Sequence, residues 1–232
     1  MTRVVNYLLE KYKEDYKKSI SHELTNELCS GTLPDYKLYT YLVQDLKFFQ
    51  VGMQIFGKTL AYCDEPTSSN IIAKQIGFVA NEENDYFSYC LLHLEENNRE
   101  ELESKCKEML ARDRSPTLPA VENYLAYLRY IIYNSTSYVE IITFVYVMEQ
   151  VYLGWADYHL CRGNVRPNLD FKHRGWIELH SGDKFASWVA FLRKEVDRVV
   201  RSDLDKKQCE ETFIKTIRLE TGFWNACYQY KI

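Results

Sequence analysis

The sequence contains few of the residues that interrupt helices, with only 9 glycines and 5 prolines among 232 residues. This scarcity argues against a fold with many tight turns, and no pattern of short alternating strands joined by hairpin signals occurs along the chain. Hydrophobic residues make up 46% of the sequence and charged residues 27%, so the chain can bury a sizeable core and disorder is not expected. The composition therefore favours a fold of long helices.

The sequence has no long block of like charges and no very long run of apolar residues. The formal net charge is −4, and acidic and basic residues are interspersed, so we expect no nucleic-acid partner. No apolar run approaches the roughly 20 residues of a membrane span, and the first residues lack the apolar segment of a signal peptide. We expect no membrane association and a cytoplasmic location, with the nucleus as the alternative.

The motifs that hold metals, phosphates or a catalytic serine are missing as well. The seven cysteines are scattered without a C-x-x-C pair or zinc-like spacing to histidine, which is typical of reduced thiols. No histidine stands three residues after a glutamate, as two-metal helical bundles require. Neither a glycine-rich phosphate loop nor G-x-S-x-G occurs. We therefore expect neither a metal nor an organic cofactor.

Apolar and aromatic residues recur at helical spacing along almost the whole chain, and no long linker divides it. The sequence predicts an all-α fold, a single helical-bundle domain over residues 1–232, with ligand sites between facing helices. The predicted helices cover about residues 3–29, from the 32–35 turn to 62, 68–96, 99–111, from 116 or 119 to 133, 138–162, 172–180, 183–201, and a last helix from 203.

Three carboxylates stand where packing alone would not place them. Glu149 lies inside residues 141–155, one of the longest apolar stretches of the chain, and Glu220 and Asp45 are set among aromatic and aliphatic side chains. Burying an unpaired carboxylate costs several kcal/mol or forces it to bind a proton. The three residues therefore suggest a small polar pocket in a helical core.

Each of these carboxylates has an aromatic residue one helical turn further along the chain, namely Phe48, Tyr152 and Phe223. A flat heteroaromatic ligand with amino groups and ring nitrogens would suit this pattern. Carboxylates would pair with the N–H groups of such a ligand, while the aromatic rings would stack on its plane.

Ordinary structural roles are the alternatives for the same three carboxylates. Asp45 could be a surface residue. Glu220 could pair with Arg218 or Lys215 on the outside of its helix, and Glu149 could belong to an internal salt bridge.

Several short motifs follow one another in a fixed order along the chain. Tyr41-Leu-Val-Gln-Asp45 comes after a histidine and a G-x-L segment within residues 22–33. Met148-Glu-Gln-Val-Tyr152 stands in the middle, and Leu219-Glu-Thr-Gly-Phe-Trp near the end. Together, over residues 20–228, they resemble the Y-L-x-Q-D, I-E-x-V-Y and L-E-x-x-F-W motifs of TenA proteins, the second being the signature of a subgroup that lacks the active-site cysteine.

The resemblance implies an all-α, haem-oxygenase-like bundle that assembles as a homodimer or homotetramer. It also implies chemistry on the 4-amino-5-methylpyrimidine half of thiamine. Members with a cysteine are thiaminase II enzymes or deaminate aminomethyl-aminopyrimidine, but here the cysteine position falls at or next to Met148. Members with Glu, as at Glu149, resemble hydrolases of N-formyl-aminomethyl-pyrimidine and its amine. The resemblance thus implies a hydrolase of thiamine salvage that forms hydroxymethylpyrimidine without a thiolate.

Site roles also follow from the resemblance. Glu220 is expected to bind the pyrimidine ring nitrogen or exocyclic amine and to shuttle protons, and Asp45 to accept hydrogen bonds from the exocyclic amino group. Phe48 is expected to stack on the ring. The hydroxyls of Tyr124 and Tyr152 are expected near the leaving group. Glu149 would then act as a general base on water.

Some positions depart from the family pattern or match it less closely. His180 stands about where many members have tyrosine, and it could serve as a donor or acid or make the pocket nonfunctional. Thr221 and Gly222 are smaller than usual beside the catalytic glutamate. Glu83 lies close to another pocket position of the family.

Two other functions remain as alternatives from the sequence. One is a TenA-fold protein that has lost catalysis and binds a pyrimidine or a protein partner. The other is a haem-binding protein that uses His22 as the iron ligand.

Overall fold

The computed structural model describes residues 3–231, and within this range the chain forms helices and no strands, which confirms the all-α prediction. No helix in this range is both long and apolar enough to cross a lipid bilayer. The elements are α1 (Val4–Lys11), α2 (Lys13–Ile20), α3 (Glu23–Ser30), α4 (Asp35–Tyr62), α5 (Pro66–Phe78), a π-helical turn (Val79–Glu83), α6 (Asn84–Asn97), α7 (Arg99–Lys105), a 3₁₀ segment (Lys107–Arg114), α8 (Pro119–Tyr133), α9 (Tyr138–Cys161), α10 (Phe171–Leu179), α11 (Gly182–Val199) and α12 (Asp203–Gln229).

Helix α9 runs through the interior of the bundle. Almost every residue from Val139 to Ala156 is buried, and the helix packs against α2, α4, α11 and α12. Its composition explains this position, because a helix that is apolar on all sides is stable only when it is covered. The hydroxyl of Ser137 accepts the Glu140 N–H and fixes its first turn. Glu149 is therefore carried into the core by its own helix.

Two long helices that contact α9 carry the other carboxylates predicted from the sequence. Helix α4 begins directly after Pro34. Proline is tolerated at the start of a helix, because its missing N–H would have no partner within the helix there. Helix α12 begins with a capping box, in which Ser202 and Asp205 each accept the other's backbone N–H. Because both helices pack on α9, Asp45 and Glu220 are brought to the same interior region as the α9 glutamate.

The prediction of one helix over residues 3–29 is wrong, because this segment forms α1, α2 and α3. The chain leaves helical dihedral angles at Tyr12, with φ −111° and ψ 27°. The Tyr12 hydroxyl donates to Glu210 of α12, and at the second break the His22 imidazole accepts the Leu24 N–H and caps α3. A tertiary contact and a cap thus override a helical periodicity that continues through all three segments.

Two further predicted helices are also interrupted. The helix predicted over residues 68–96 contains the π-helical turn, and the one predicted over 99–111 breaks at Cys106, whose φ of −150° is far from helical. The later helices α8 to α12 lie close to their predicted positions. Their starts carry clear signals in the sequence, whereas the interruptions do not.

The crossing of α2 and α9 depends on a glycine. A Cβ atom at Gly154 would overlap the Tyr16 hydroxyl and would lie 2.8 Å from Ile20 Cγ2. At this crossing the Tyr16 hydroxyl accepts a hydrogen bond from Gln150 Nε2 at 2.8 Å. The two helices can approach closely enough for this bond because position 154 has no side chain.

We expect Gly154→Ala to lower the free energy of unfolding by about 1–3 kcal/mol, because the added methyl group must displace packed side chains. Gly57→Ala on α4 is the matched control, since nothing lies within 4 Å of its added Cβ. The control should be neutral or stabilising by up to ~1 kcal/mol, as expected for alanine in a helix interior. Urea unfolding followed by circular dichroism measures both, and equal effects of the two substitutions would contradict the tight crossing.

Candidate functional site

A cavity lies among α4, α8, α9, α11 and α12, together with the π-helical turn and the end of α10. The space between its lining side chains, including the solvent at its mouth, is about 730 Å³. All eight side chains that the sequence singled out line it: Asp45, Phe48, Glu83, Tyr124, Glu149, Tyr152, His180 and Glu220.

Asp45 is held by two tyrosine hydroxyls. The Tyr41 hydroxyl, one turn earlier on α4, donates to Asp45 Oδ2 at 2.8 Å, and the Tyr152 hydroxyl lies 3.5 Å from Oδ1. Burial raises the pKa of Asp45 to about 7, and the two tyrosine hydroxyls moderate this rise by donating to the carboxylate. With an exposed fraction of 6%, Asp45 is not a surface residue.

Glu220 is fixed by Tyr124 of α8, whose hydroxyl donates to Glu220 Oε1 at 2.6 Å. Burial raises the pKa of Glu220 to about 8. The Tyr124 hydrogen bond lowers this pKa, whereas repulsion from Asp45 and Glu149 adds to the rise. The Tyr124 ring packs against Phe48 with ring centroids 4.6 Å apart. These contacts make Phe48, Tyr124 and Glu220 one connected part of the cavity wall.

The basic residues near Glu220 in the sequence do not pair with it. Arg218 lies 3.4 Å from the Asp15 carboxylate, and the Lys215 ammonium lies over the Tyr127 ring. The alternative of an external ion pair for Glu220 is therefore wrong.

Glu149 is almost fully enclosed, with an exposed fraction of 7%, and it forms no ion pair within residues 3–231. Burial raises its pKa to about 7, and the nearby Trp188 indole acts in the opposite direction. The Trp188 N–H makes no hydrogen bond of standard geometry within the described range. The internal salt bridge considered for Glu149 is thus not formed.

Glu83 and His180 stand opposite each other in the cavity. Glu83 ends the π-helical turn, His180 directly follows α10, and Glu83 Oε1 is 3.9 Å from His180 Nε2. Burial lowers the pKa of His180 to about 4. Burial, together with repulsion from Glu149 and Asp45, raises the pKa of Glu83 well above its usual range. Burial therefore favours the uncharged form of both groups.

The balance of charge in the cavity is one-sided. Four carboxyl groups line it, while no lysine or arginine of the described residues does. Burial and mutual repulsion keep part of this set protonated. Nowhere in residues 3–231 are three or more His, Cys, Asp or Glu side chains arranged to hold a metal ion. The arrangement suits hydrogen bonding with a flat, nitrogen-rich ligand, and a positive charge on that ligand would add complementarity.

Met148 lines the cavity beside Glu149, at the place where the resemblance puts the catalytic cysteine of other members. No cysteine in the described part of the chain lines the cavity. A thiolate is therefore not among the groups that this site presents to a ligand.

His22, considered as a haem ligand, lies outside the cavity lining. Its Nδ1 accepts the Leu24 N–H at 3.1 Å, and its Nε2 lies 3.0 Å from Asn225 Oδ1. Because both ring nitrogens already have partners, neither is left to bind iron.

Sequence reasoning missed residues that shape the site indirectly. Tyr41 fixes Asp45, and its i, i+4 spacing to that carboxylate was a usable signal. Phe78 and Phe185 close the cavity from α5 and α11. Nothing in their local sequence distinguishes them from other core aromatics, so only the tertiary fold places them here.

The profile of the TENA/THI-4/PQQC family matches residues 9–230 of the chain. The chain belongs to this family. The resemblance inferred from the motifs is thereby confirmed over nearly the whole sequence. A search of curated proteins found no match.

Several solved structures share the fold at low sequence identity. A TenA homologue from P. horikoshii OT3 is 19% identical over 98% of this chain and 99% of its own, with a TM-score of 0.79. A candidate TenA-like thiaminase from Sulfolobus solfataricus is 17% identical over 98% and 97%, with a TM-score of 0.68. A domain with a heme oxygenase-like fold from Shewanella denitrificans is 16% identical over 97% and 92%, with a TM-score of 0.68. The haem-oxygenase-like fold is confirmed.

Membership in the TENA/THI-4/PQQC family leaves finer points open to experiment. The assignment to the subgroup with Glu149 in place of cysteine stays a prediction. So do the homodimeric or homotetrameric assembly and the cytoplasmic location.

The raised pKa of Glu220 predicts that stability depends on pH. An unfolded glutamate titrates near ~4.3, whereas folded Glu220 keeps its proton up to about pH 8. Between these values the folded state binds more protons than the unfolded state, so stability falls as the pH rises through this window. Glu220→Gln removes this loss of stability, because glutamine does not titrate. It also keeps a side-chain oxygen that can accept the hydrogen bond from the Tyr124 hydroxyl.

We expect Glu220→Gln to raise the melting temperature at pH 8 clearly more than at pH 5, as measured by scanning calorimetry. Each kcal/mol corresponds to about 2–4 °C for a chain of this size. Glu178→Gln on α10 is the control, because this exposed glutamate should show no such difference. A shift of the same size at both pH values would show that the pKa of Glu220 is not raised.

Proposed function

We propose that the protein is a hydrolase of thiamine-derived aminopyrimidines, acting on N-formyl-aminomethyl-pyrimidine, on aminomethyl-aminopyrimidine, or on both, to reach hydroxymethylpyrimidine. The observation that carries this proposal is the set of four carboxyl groups in one aromatic cavity without a cationic lining residue in the described chain. Membership in a family whose solved relatives include a candidate TenA-like thiaminase supports it.

Recognition of the pyrimidine would use the part of the cavity formed by Asp45, Phe48, Tyr124 and Glu220. Asp45 accepts from the exocyclic amino group, and protonated Glu220 donates to a ring nitrogen. Phe48 stacks on the ring plane. The Tyr124 and Tyr41 hydroxyls, which already donate to the two carboxyl groups, hold both in place before the ligand arrives. Such preorganisation reduces the cost of ordering the site on binding.

The chemical step would use Glu149 as the base. Burial raises the pKa of Glu149 to about 7, close to neutrality, where a general base is most effective. Burial, with repulsion from Asp45 and Glu149, raises the pKa of Glu220 to about 8 and favours its protonated form. Ionised Glu149 takes a proton from water, and the water oxygen bonds to the exocyclic carbon. The C–N bond breaks, its electron pair leaves with nitrogen, and the proton on Glu149 passes to the departing amine. One water is consumed and one ammonia is released.

Hydrolysis of the N-formyl compound would also use Glu149 as the base, but the water would attack a different carbon. Water activated by Glu149 attacks the formyl carbon, and the amide C–N bond breaks with its electron pair leaving on nitrogen. The proton on Glu149 passes to that nitrogen, so the free amine and formic acid, which ionises to formate, are released. Tyr152 lines the same cavity, and its hydroxyl, which lies 3.5 Å from Asp45 Oδ1, would hydrogen-bond the substituent. A carboxylate base of this kind contributes about 10²–10⁴ in rate.

We expect purified protein to release formate or ammonia from these two pyrimidines, and Glu149→Gln to lower kcat by about 10²–10⁴-fold. Glu220→Gln should also lower kcat strongly, because an amide cannot exchange a proton with the ring nitrogen to which the Glu220 carboxyl hydrogen-bonds. Glu140→Gln is the matched control, since Glu140 is a buried glutamate on the same helix that hydrogen-bonds Ser135 away from the cavity. Formate and ammonia assays with thiamine as a third substrate measure these rates.

If folded wild-type protein turns over none of the three compounds, the proposed hydrolase activity is contradicted. If the aminopyrimidines still raised its melting temperature, the inactive pyrimidine-binding alternative would replace it. Equal loss of activity in Glu140→Gln and Glu149→Gln would remove Glu149 from the catalytic role.

A further inference from the structure

The tautomer of His180 can be derived from its surroundings. Its Nδ1 lies 2.9 Å from the backbone carbonyl oxygen of Trp176, one turn earlier in the chain. A carbonyl oxygen only accepts, so Nδ1 must carry the hydrogen. In the neutral ring Nε2 then has a free lone pair. His180 is therefore a hydrogen-bond acceptor towards the cavity, rather than the donor or acid that the resemblance suggested.

The packing around His180 holds this ring in one orientation. Its centroid is 4.3 Å from that of Trp176, 4.7 Å from Tyr152 and 5.3 Å from Phe185. Only 5% of the residue is exposed. Aromatic walls on several sides disfavour a charged imidazolium and leave little room for the ring to flip. Because the ring is fixed, the lone pair on Nε2 always points into the cavity.

Glu83 faces this lone pair from the other side of the cavity. The distance of 3.9 Å from Nε2 to Glu83 Oε1 is too long for a direct hydrogen bond. Glu83 reaches this place from the last residue of the π-helical turn, which inserts an extra residue into the turn and is a feature often found at functional sites. When the Glu83 carboxyl is ionised, two acceptor atoms face each other across a 3.9 Å gap in the cavity lining.

A nitrogen atom with two or more N–H bonds fits this gap. At a usual N–H···O or N–H···N distance of about 2.9 Å from each side, one nitrogen can donate to both acceptors. A hydroxyl group has one hydrogen and satisfies only one acceptor. An ammonium would also allow the Glu83 carboxyl to ionise against a positive charge, which offsets the burial and the repulsion from Glu149 and Asp45 that raise its pKa.

We propose that Glu83 and His180 form an amine subsite, which selects a primary amine or ammonium substituent over the corresponding alcohol. The proposal rests on the proposed function, whose substrate carries an aminomethyl group and whose product carries a hydroxymethyl group. Such a subsite would hold the substrate by its leaving group and would weaken binding of the product. Glu83 and His180 are then specificity-determining residues, distinct from the carboxyl groups that bind the pyrimidine ring.

Isothermal titration with two ligands tests the subsite: 4-amino-5-aminomethyl-2-methylpyrimidine and its 5-hydroxymethyl counterpart. The Glu149→Gln background prevents turnover of the amine during the titration. We expect the background protein to bind the amine at least ~10-fold more tightly than the alcohol, in line with hydrogen bonds to a charged group. Glu83→Gln and His180→Phe should each reduce this ratio towards one and change the Kd of the alcohol by less than about threefold.

Two further variants separate this role from a structural one. His180→Gln keeps an amide oxygen that can accept, so it should recover part of the preference that His180→Phe loses. It also provides an independent test if the phenylalanine variant does not fold. Asp45→Asn should weaken both ligands alike, because both share the pyrimidine ring.

The outcomes distinguish failure of the subsite from failure of the proposed function. Binding of both ligands with a ratio that neither Glu83→Gln nor His180→Phe changes would overturn the amine subsite alone. Binding of neither ligand to folded protein would overturn the proposed function and the subsite with it.

Discussion

Burial of four carboxyl groups in one aromatic cavity, without a cation in the described lining, is the constraint on which the rest of the site depends. Carboxylates in such a place must bind protons, accept hydrogen bonds or meet a positively charged ligand. Asp45, Glu149 and Glu220 have pKa values raised to about 7, 7 and 8 by this burial. The cavity is therefore poised near neutral pH between protonated and ionised forms.

The surrounding helices hold these carboxyl groups in place. Tyr41 and Tyr124 donate to Asp45 and Glu220 and hold them in fixed positions. Among the described residues, no hydroxyl donates to Glu149, and its place is set by α9, which is buried along most of its length. A site of this kind lowers stability in exchange for function, because uncharged or apolar side chains would fill the same space at less cost.

Much of the fold could be predicted from the sequence, because apolar periodicity and capping residues are local properties. The starts of α9 and α12 are examples, with serine caps at Ser137 and Ser202. The breaks at Tyr12 and before His22 could not be predicted, since the tyrosine is held by a residue about 200 positions away. The π-helical turn also lacks a local signature that we can identify.

Part of the candidate site could likewise be predicted from the sequence, and part of it could not. Glu149 stands out in the sequence, because a carboxylate in a long apolar run is costly wherever that run is buried. Asp45 and Glu220 also stand out as carboxylates among apolar and aromatic residues, other members follow from the family motifs, and the structure brings all of them to one cavity. The hydrogen-bonding direction of His180 was not predictable, because it is decided by a carbonyl that only the end of α10 places beside the ring.

The exchange of protons on binding of a cationic aminopyrimidine tests the central claim most directly. Titration calorimetry of Glu149→Gln with 4-amino-5-aminomethyl-2-methylpyrimidine at pH 7, in two buffers of different ionisation enthalpy, counts the protons released or taken up. If protonated carboxyl groups in the cavity ionise against the bound amine, binding releases a net fraction of a proton or more. Binding without any proton release would contradict a cavity of protonated carboxyl groups that awaits a cation.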